Sequence, residues 1–253
     1  MKLHMLSGGR LRMRRSVFDP SAPREETFEL PVSCALIRHH GGNVLFDTGC
    51  NPQAAIAPEA RWGGLARLMT PIFTPDDTVD AQLPLLGLSA NDIDIVVCSH
   101  LHPDHCGCND RFRRATILCH AAELAAAKAE GAEKSGYLPV EWDQPQGFSK
   151  FEDQHDVFGD GRIVLLHMPG HTPGMTCAML ALDRDGQILL ASDAAPLAGN
   201  LDTGIAPKNS WNAELAATAL QEIRRIRDGG TTVILGHDDA QWQRLPKGEA
   251  FFA

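Results

Sequence analysis

No stretch of the sequence approaches the ~20 consecutive apolar residues that a membrane-spanning helix requires. No apolar run follows the basic positions Arg10, Arg12, Arg14 and Arg15 either, so a secretory leader is not predicted. Low-complexity tracts, internal repeats and linker-length Gly/Pro segments are missing, which excludes solenoids and disordered chains and leaves one domain over residues 1–253 as the expectation. Basic residues are in deficit. With 23 Lys and Arg against 32 Asp and Glu, a net charge of −9 offers no electrostatic reason to bind nucleic acid or an anionic membrane. Seven cysteines are an odd number in a chain long enough to fold without staples, so they are expected to be reduced and structural, and the compartment cytoplasmic.

What is present is the composition of a packed globule, 43% hydrophobic and 22% charged. Short apolar, β-branched runs predict strands at Ile93–Cys98, Ile117–Cys119, Ile163–Met168, Met175–Leu182, Ile188–Ala191 and Thr232–Leu235. Cys34–His39 and Val44–Asp47 flank His40-Gly41-Gly42-Asn43 and read as a hairpin. Helices are predicted at Ala121–Glu130 and at Ala213–Asp228. The second has a Ser210 or Asn212 cap, a Gly229 stop and a buried stripe of Leu215, Leu220, Ile223 and Ile226. Strands and helices in mixed order suggest stacked sheet and helix layers, an α/β class.

The strongest chemical signal follows the strand at Ile93–Cys98. Ser99-His100-Leu101-His102-Pro103-Asp104-His105 packs four possible metal ligands into six residues, and three imidazoles with a carboxylate suit Zn²⁺ or a similar cation better than Ca²⁺ or Mg²⁺. Three other strands each deliver one ligand type just past their C-terminal ends, at His171, Asp193 and His237, where open sheets commonly place functional groups. Seven candidates are too many for one tetrahedral ion and suit two that share a bridge.

These residues resemble the metallo-β-lactamase superfamily over most of the chain, from Val44-Leu45-Phe46-Asp47-Thr48-Gly49 to Leu235-Gly236-His237-Asp238. Within it the chain is most similar to the N-acyl homoserine lactonases and related lactonases. The resemblance implies an αββα sandwich of two mixed β-sheets flanked by helices, with the site at one edge. It implies two divalent metal ions, Zn²⁺ first and Fe, Mn or Co as alternatives. One ion falls to His100, His102 and His171, the other to Asp104, His105 and His237, with Asp193 bridging. The implied activity is a quorum-quenching lactonase in which a hydroxide bridging the ions attacks the ring carbonyl. Asp104 would steer the proton to the leaving alkoxide, and Asp47 would hold a ligating histidine from behind. The other reading is a metal-dependent hydrolase of another small ester, a thioester or an organophosphate triester. The partner is in either case a small molecule, and the protein a monomer or homodimer.

One position departs from the pattern. Many homoserine lactonases place a tyrosine three residues after the bridging Asp, where this chain has Pro196, so the group that binds the substrate carbonyl is unassigned. Trp62–Phe73 reads as core packing or as an apolar lid beside the site. Arg12, Arg14 and Arg15 read as a solvated charge run, and His39, His40, His120, His155 and His167 as surface or core histidines.

Overall fold

The computed structural model describes residues 1–253, and the apolar runs of the sequence become twelve strands in it. They are β1 (Lys2–Arg14), β2 (Thr27–His39), β3 (Gly42–Phe46), β4 (Thr70–Pro71), β5 (Ile95–Val97), β6 (Thr116–His120), β7 (Ser149–Phe151), β8 (His155–Asp156), β9 (Ile163–His167), β10 (Thr176–Leu182), β11 (Gly186–Ser192) and β12 (Thr232–Leu235). One mixed sheet runs in the order β4-β1-β2-β3-β5-β6-β7 and a second in the order β12-β11-β10-β9-β8. The long strands β1 and β2 pair antiparallel and extend the expected β2–β3 hairpin, while β3, β5, β6 and β7 run parallel.

Alternation along the strands explains the layering, because successive side chains of a strand point to opposite faces. Ala35, Ile37, Val44, Phe46 and Val97 of the first sheet meet Ile163, Leu165, Ala178, Leu180, Ile188 and Leu190 of the second in a shared core. Their neighbours Leu36, Leu45 and Val96 face the other way, onto Leu83, Phe112, Leu124 and Trp142. On the far side of the second sheet, Cys177, Leu189, Val233 and Leu235 pack against Leu220 and Ile223 of the helix Ala213–Asp228. The two sheets thus lie face to face with helices outside both, the αββα arrangement.

The helix Ala213–Asp228 keeps its expected bounds, with the Asn212 side chain accepting from the Glu214 and Leu215 amides. Its buried stripe differs in one member: Leu215 is exposed, while Ala216 and Ala219 are buried, Ala216 so close to Gly170 of the loop after β9 that only a small side chain fits there. The other expected helix stops at Ala127, short of Glu130. The basic N-terminal segment is part of the thirteen-residue β1, where Arg10 pairs with Asp239 at 2.7 Å and Arg12 with Glu29 at 2.8 Å. Trp62–Phe73 is mostly packing: Trp62 and Ala66 are buried, with Leu65, Met69 and Phe73 against them. No helix is long and apolar enough to cross a membrane.

Candidate metal centre

Four strand ends supply the centre. After β5 the chain passes through Ser99 into His100–His102 and a one-turn helix, Pro103–Cys106, that starts at a proline and carries Asp104 and His105. β9 leads to His171, β11 to Asp193 and β12 to His237. The structure brings all seven side chains together. Their ligand atoms form three overlapping groups, each within 4.8 Å: His100, His102 and His171; His100, His105 and Asp193; and Asp104, His105 and His237. Six of the seven are buried and His102 is half-buried.

Hydrogen bonds from behind fix the ring tautomers, and these show which nitrogens face inward. His105 Nδ1 donates to Asp47 Oδ2 at 2.9 Å, and His237 Nδ1 donates to the Pro31 carbonyl at 2.8 Å. His102 Nε2 donates to the Ser135 carbonyl at 2.9 Å. The Ser99 hydroxyl donates to Asp47 Oδ2, so it accepts from His100 Nδ1, 3.0 Å away. The remaining nitrogen of each of these four rings therefore faces the centre, where it offers a lone pair to a cation once any proton on it is displaced.

Such a set fits divalent cations and little else. His102 Nδ1 lies 3.1 Å from both His100 Nε2 and His171 Nε2, close to the ~3.3 Å edge of a tetrahedron whose ligands sit ~2.05 Å from its centre. Two facing lone pairs repel unless a positive charge lies between them. His105 Nε2 and Asp193 Oδ1 are buried with no hydrogen-bond partner, a costly state in a dry site. Asp193 faces both ways: its Oδ2 is 3.3 Å from His171 Nε2, and its Oδ1 is 2.9 Å from His237 Nε2 and 3.5 Å from His105 Nε2. Asp104 Oδ2 lies 3.4 Å from His105 Nε2 and 3.7 Å from His237 Nε2.

Asp47 is held in the left-handed backbone region, φ 59°, directly after β3. It accepts the Ser99 amide at 2.7 Å and hydroxyls from Ser99 and, at 3.3 Å, Ser192, in addition to His105. Ser99 and Ser192 were not singled out in the sequence. They enter the hydrogen-bond network behind the candidate ligands because positions 93 residues apart bring their hydroxyls within 2.9 Å.

Charge in the centre is divided by burial. Burial pushes the His171 imidazole down to about 4, and it also holds His100 well below the usual histidine range, helped by the neighbouring rings. Burial opposes charge on His105 too, but Asp104, Asp193 and Asp47 outweigh it and raise its pKa. Asp193 is buried as well, yet His237, His171 and His105 hold it well below the carboxylate range. Without cations the acids are thus balanced by protons on histidines, and metal uptake must displace those protons.

The other histidines stay apart from this centre. His39, His40 and Asp160 approach one another, but His39 Nδ1 accepts the Gly41 amide and its Nε2 donates to Asp160, so no lone pair is free for a metal. Pro196 lends its carbonyl to the His237 amide at 2.9 Å and offers no side-chain donor. All seven cysteines are buried and free. A cavity of about 430 Å³ opens beside His102 and His171, walled by Tyr137, Thr172, Lys208 and Trp211. A second, of about 780 Å³, lies behind Phe18, whose ring centroid is 6.4 Å from that of His237.

Comparison with known proteins agrees with the geometry. The metallo-beta-lactamase superfamily model matches residues 27–237. The N-acyl homoserine lactonase AttM of Rhizobium radiobacter is 29% identical over 260 residues, covering 100% of this chain and 99% of that protein. An N-acyl homoserine lactonase from a Bacillus species is 29% identical over 244 residues, covering 95% and 94%. A solved N-acyl homoserine lactone hydrolase with N-hexanoyl-L-homoserine at its catalytic metal centre superposes with a TM-score of 0.88 at 25% identity, covering 99% of this chain and 98% of that one.

Proposed function

The chain belongs to the metallo-beta-lactamase superfamily, and from that premise we propose that residues 1–253 form one cytoplasmic hydrolase domain that opens lactone rings, N-acyl homoserine lactones first. One observation carries the reading: His100, His102, Asp104, His105, His171, Asp193 and His237 converge from four strand ends with their free lone pairs turned inward. The names and bound product of the relatives support the substrate class, and seven reduced, buried thiols support the compartment.

His100, His102 and His171 would hold one divalent ion and Asp104, His105 and His237 the other, with one Asp193 oxygen turned to each. The nitrogen-rich set favours Zn²⁺. Such ions, held there, would lower the pKa of a bound water and polarise the substrate carbonyl. Asp104 takes the proton released as the water oxygen bonds to the carbonyl carbon. It returns that proton to the ring oxygen as the C–O bond breaks, so lactone and water become one hydroxy acid. Asp47 keeps His105 in its tautomer throughout. The cavity beside His102 and His171 takes the remainder of the substrate, with Trp211 as its apolar wall.

The Pro196 departure supports a second reading, hydrolysis of another small ester, a thioester or an organophosphate triester, since the carbonyl-binding donor seen in many lactonases is replaced. A pH-stat screen of acyl homoserine lactones, other γ- and δ-lactones, thioesters and phosphotriesters, run beside elemental analysis, tests both. Two metal equivalents with one proton released per lactone opened is the expected result. Metal-loaded protein inert toward every lactone overturns the first reading, and turnover of a phosphotriester or thioester in its place selects the second.

A further inference from the structure

The carboxylate of Glu123 is completely buried in the first turn of the helix Ala121–Ala127, outside the ligand set. Its Oε1 accepts the Leu101 amide and its Oε2 the Gly174 amide, both at 3.0 Å. Leu101 lies between His100 and His102, and Gly174 ends the loop that carries His171. The loop is pressed onto the helix so closely that a Cβ on Gly174 would fall 2.3 Å from the Glu123 nitrogen. The Tyr137 and Thr172 hydroxyls are buried against the same carboxylate at poorer geometry, so the two amides are its well-formed bonds. A buried carboxylate with two charge-assisted bonds is a rigid, high-cost arrangement that an ordinary helix surface does not need.

We propose that Glu123 is a positioning residue that clamps together the two loops bearing His100, His102 and His171, and so sets the affinity of that cation position alone. The other position has its own supports, Asp47 behind His105 and the Pro31 carbonyl behind His237. Neither involves Glu123, so its loss acts asymmetrically. A Glu123→Gln side chain keeps the volume but has one acceptor for two amides, and its NH₂ group faces whichever donor is left.

This inference rests on the two-cation reading, and the experiment separates the two. Zn²⁺ or Co²⁺ is titrated into metal-free wild type and Glu123→Gln against a chromophoric chelator. Wild type that binds fewer than two equivalents sinks the two-cation reading and this assignment with it. With wild type at two, the variant is expected to lose ~10- to 100-fold in affinity for one equivalent, the range of supporting groups behind metal ligands, and less than twofold for the other. Two unchanged equivalents, or two weakened alike, overturn the clamp. Hydrogen exchange of metal-free wild type needs no variant, and decides the matter if Glu123→Gln does not fold. The Leu101 and Gly174 amides should exchange as slowly as those of β10, and exchange at the rate of exposed loops overturns the proposal.

Discussion

Asp47 Oδ2 accepts the Nδ1 proton of His105 at 2.9 Å, across 58 residues of chain, and the same carboxylate binds the Ser99 amide and hydroxyl. It therefore joins the strand end after β3 to the ligand loop after β5. Asp47→Ala leaves His105 free to change tautomer and rotate. Metal affinity at the Asp104/His105/His237 position should fall 10- to 100-fold, roughly the effect of removing such a partner, and the His100/His102/His171 position should weaken by less, through the Ser99 hydroxyl that Asp47 anchors behind His100. Chelator competition reads both, and the larger loss falls on the position opposite to the one expected for Glu123→Gln.

Gly49 allows Asp47 to sit where it does. It has φ +69°, and a Cβ there would lie 2.3 Å from the Gly8 Cα at the irregularity in the β1–β2 pairing. Around it the Thr48 amide donates to the His105 carbonyl and the Gly107 amide to the Gly49 carbonyl, both at 2.8 Å. Gly49→Ala must push two backbones apart. It should cost about 2–4 kcal/mol in urea unfolding of the metal-free protein, whereas Gly64→Ala, with open space around it, should stay within about 0.5 kcal/mol.

His120 stacks on His167 with ring centroids 3.8 Å apart, and its Nδ1 accepts the Ala122 amide. Burial, then the His167 ring, push its pKa down to about 4 from a usual 6.5. A lowered histidine stays neutral in the fold while the unfolded chain takes up a proton. Its contribution to stability is therefore lost as pH falls from 6.5 through about 4. An NMR titration of the ring protons should give a midpoint near 4, and His167→Gln should raise it.

The candidate ligands are legible in the sequence because metal chemistry leaves local marks. His100, His102, Asp104 and His105 are adjacent, and His171, Asp193 and His237 each follow an apolar run that could only be a strand. The layering is legible only as apolar runs and helices in mixed order, because Ala35–Ile37 and Ile188–Leu190 are apolar throughout, as strands covered on both faces are, and carry no mark of which residue faces which layer. What escapes is set by distance. Ser99 and Ser192 are unremarkable until two strands meet, and Glu123 reads as a solvated helix former until the His171 loop closes over it. β1 escapes because its arginines suggest a charge run, although Leu3 and Leu11, each between polar neighbours, are buried.

Trp211 is 58% exposed, and its amide donates to the His171 carbonyl at 2.9 Å, so its backbone is held at the cavity wall beside the candidate centre. Contact with a substrate side chain there would be equal in ground and transition states. Trp211→Ala should raise KM about tenfold, or about 1.4 kcal/mol of lost contact, with kcat within about twofold for long acyl chains. Short-chain lactones should show a smaller change, and steady-state kinetics on a chain-length series checks both.

Asp104 is the one acid beside both His105 and His237 whose proposed work is to move a proton, and the leaving group can reveal that work. A ring alkoxide is a poor leaving group unless protonated, while a thiolate with a pKa near ~8.5 departs without help. Asp104→Asn retains a ligating oxygen but not the basic one. It should lower kcat on a lactone by about 10²–10⁴, the usual worth of a positioned acid–base group. On the matching thiolactone the deficit should shrink at least tenfold. Lost metal would slow the two substrates alike, so the ratio of their deficits, measured at two bound equivalents, isolates the proton. Equal deficits would leave Asp104 a ligand and nothing more.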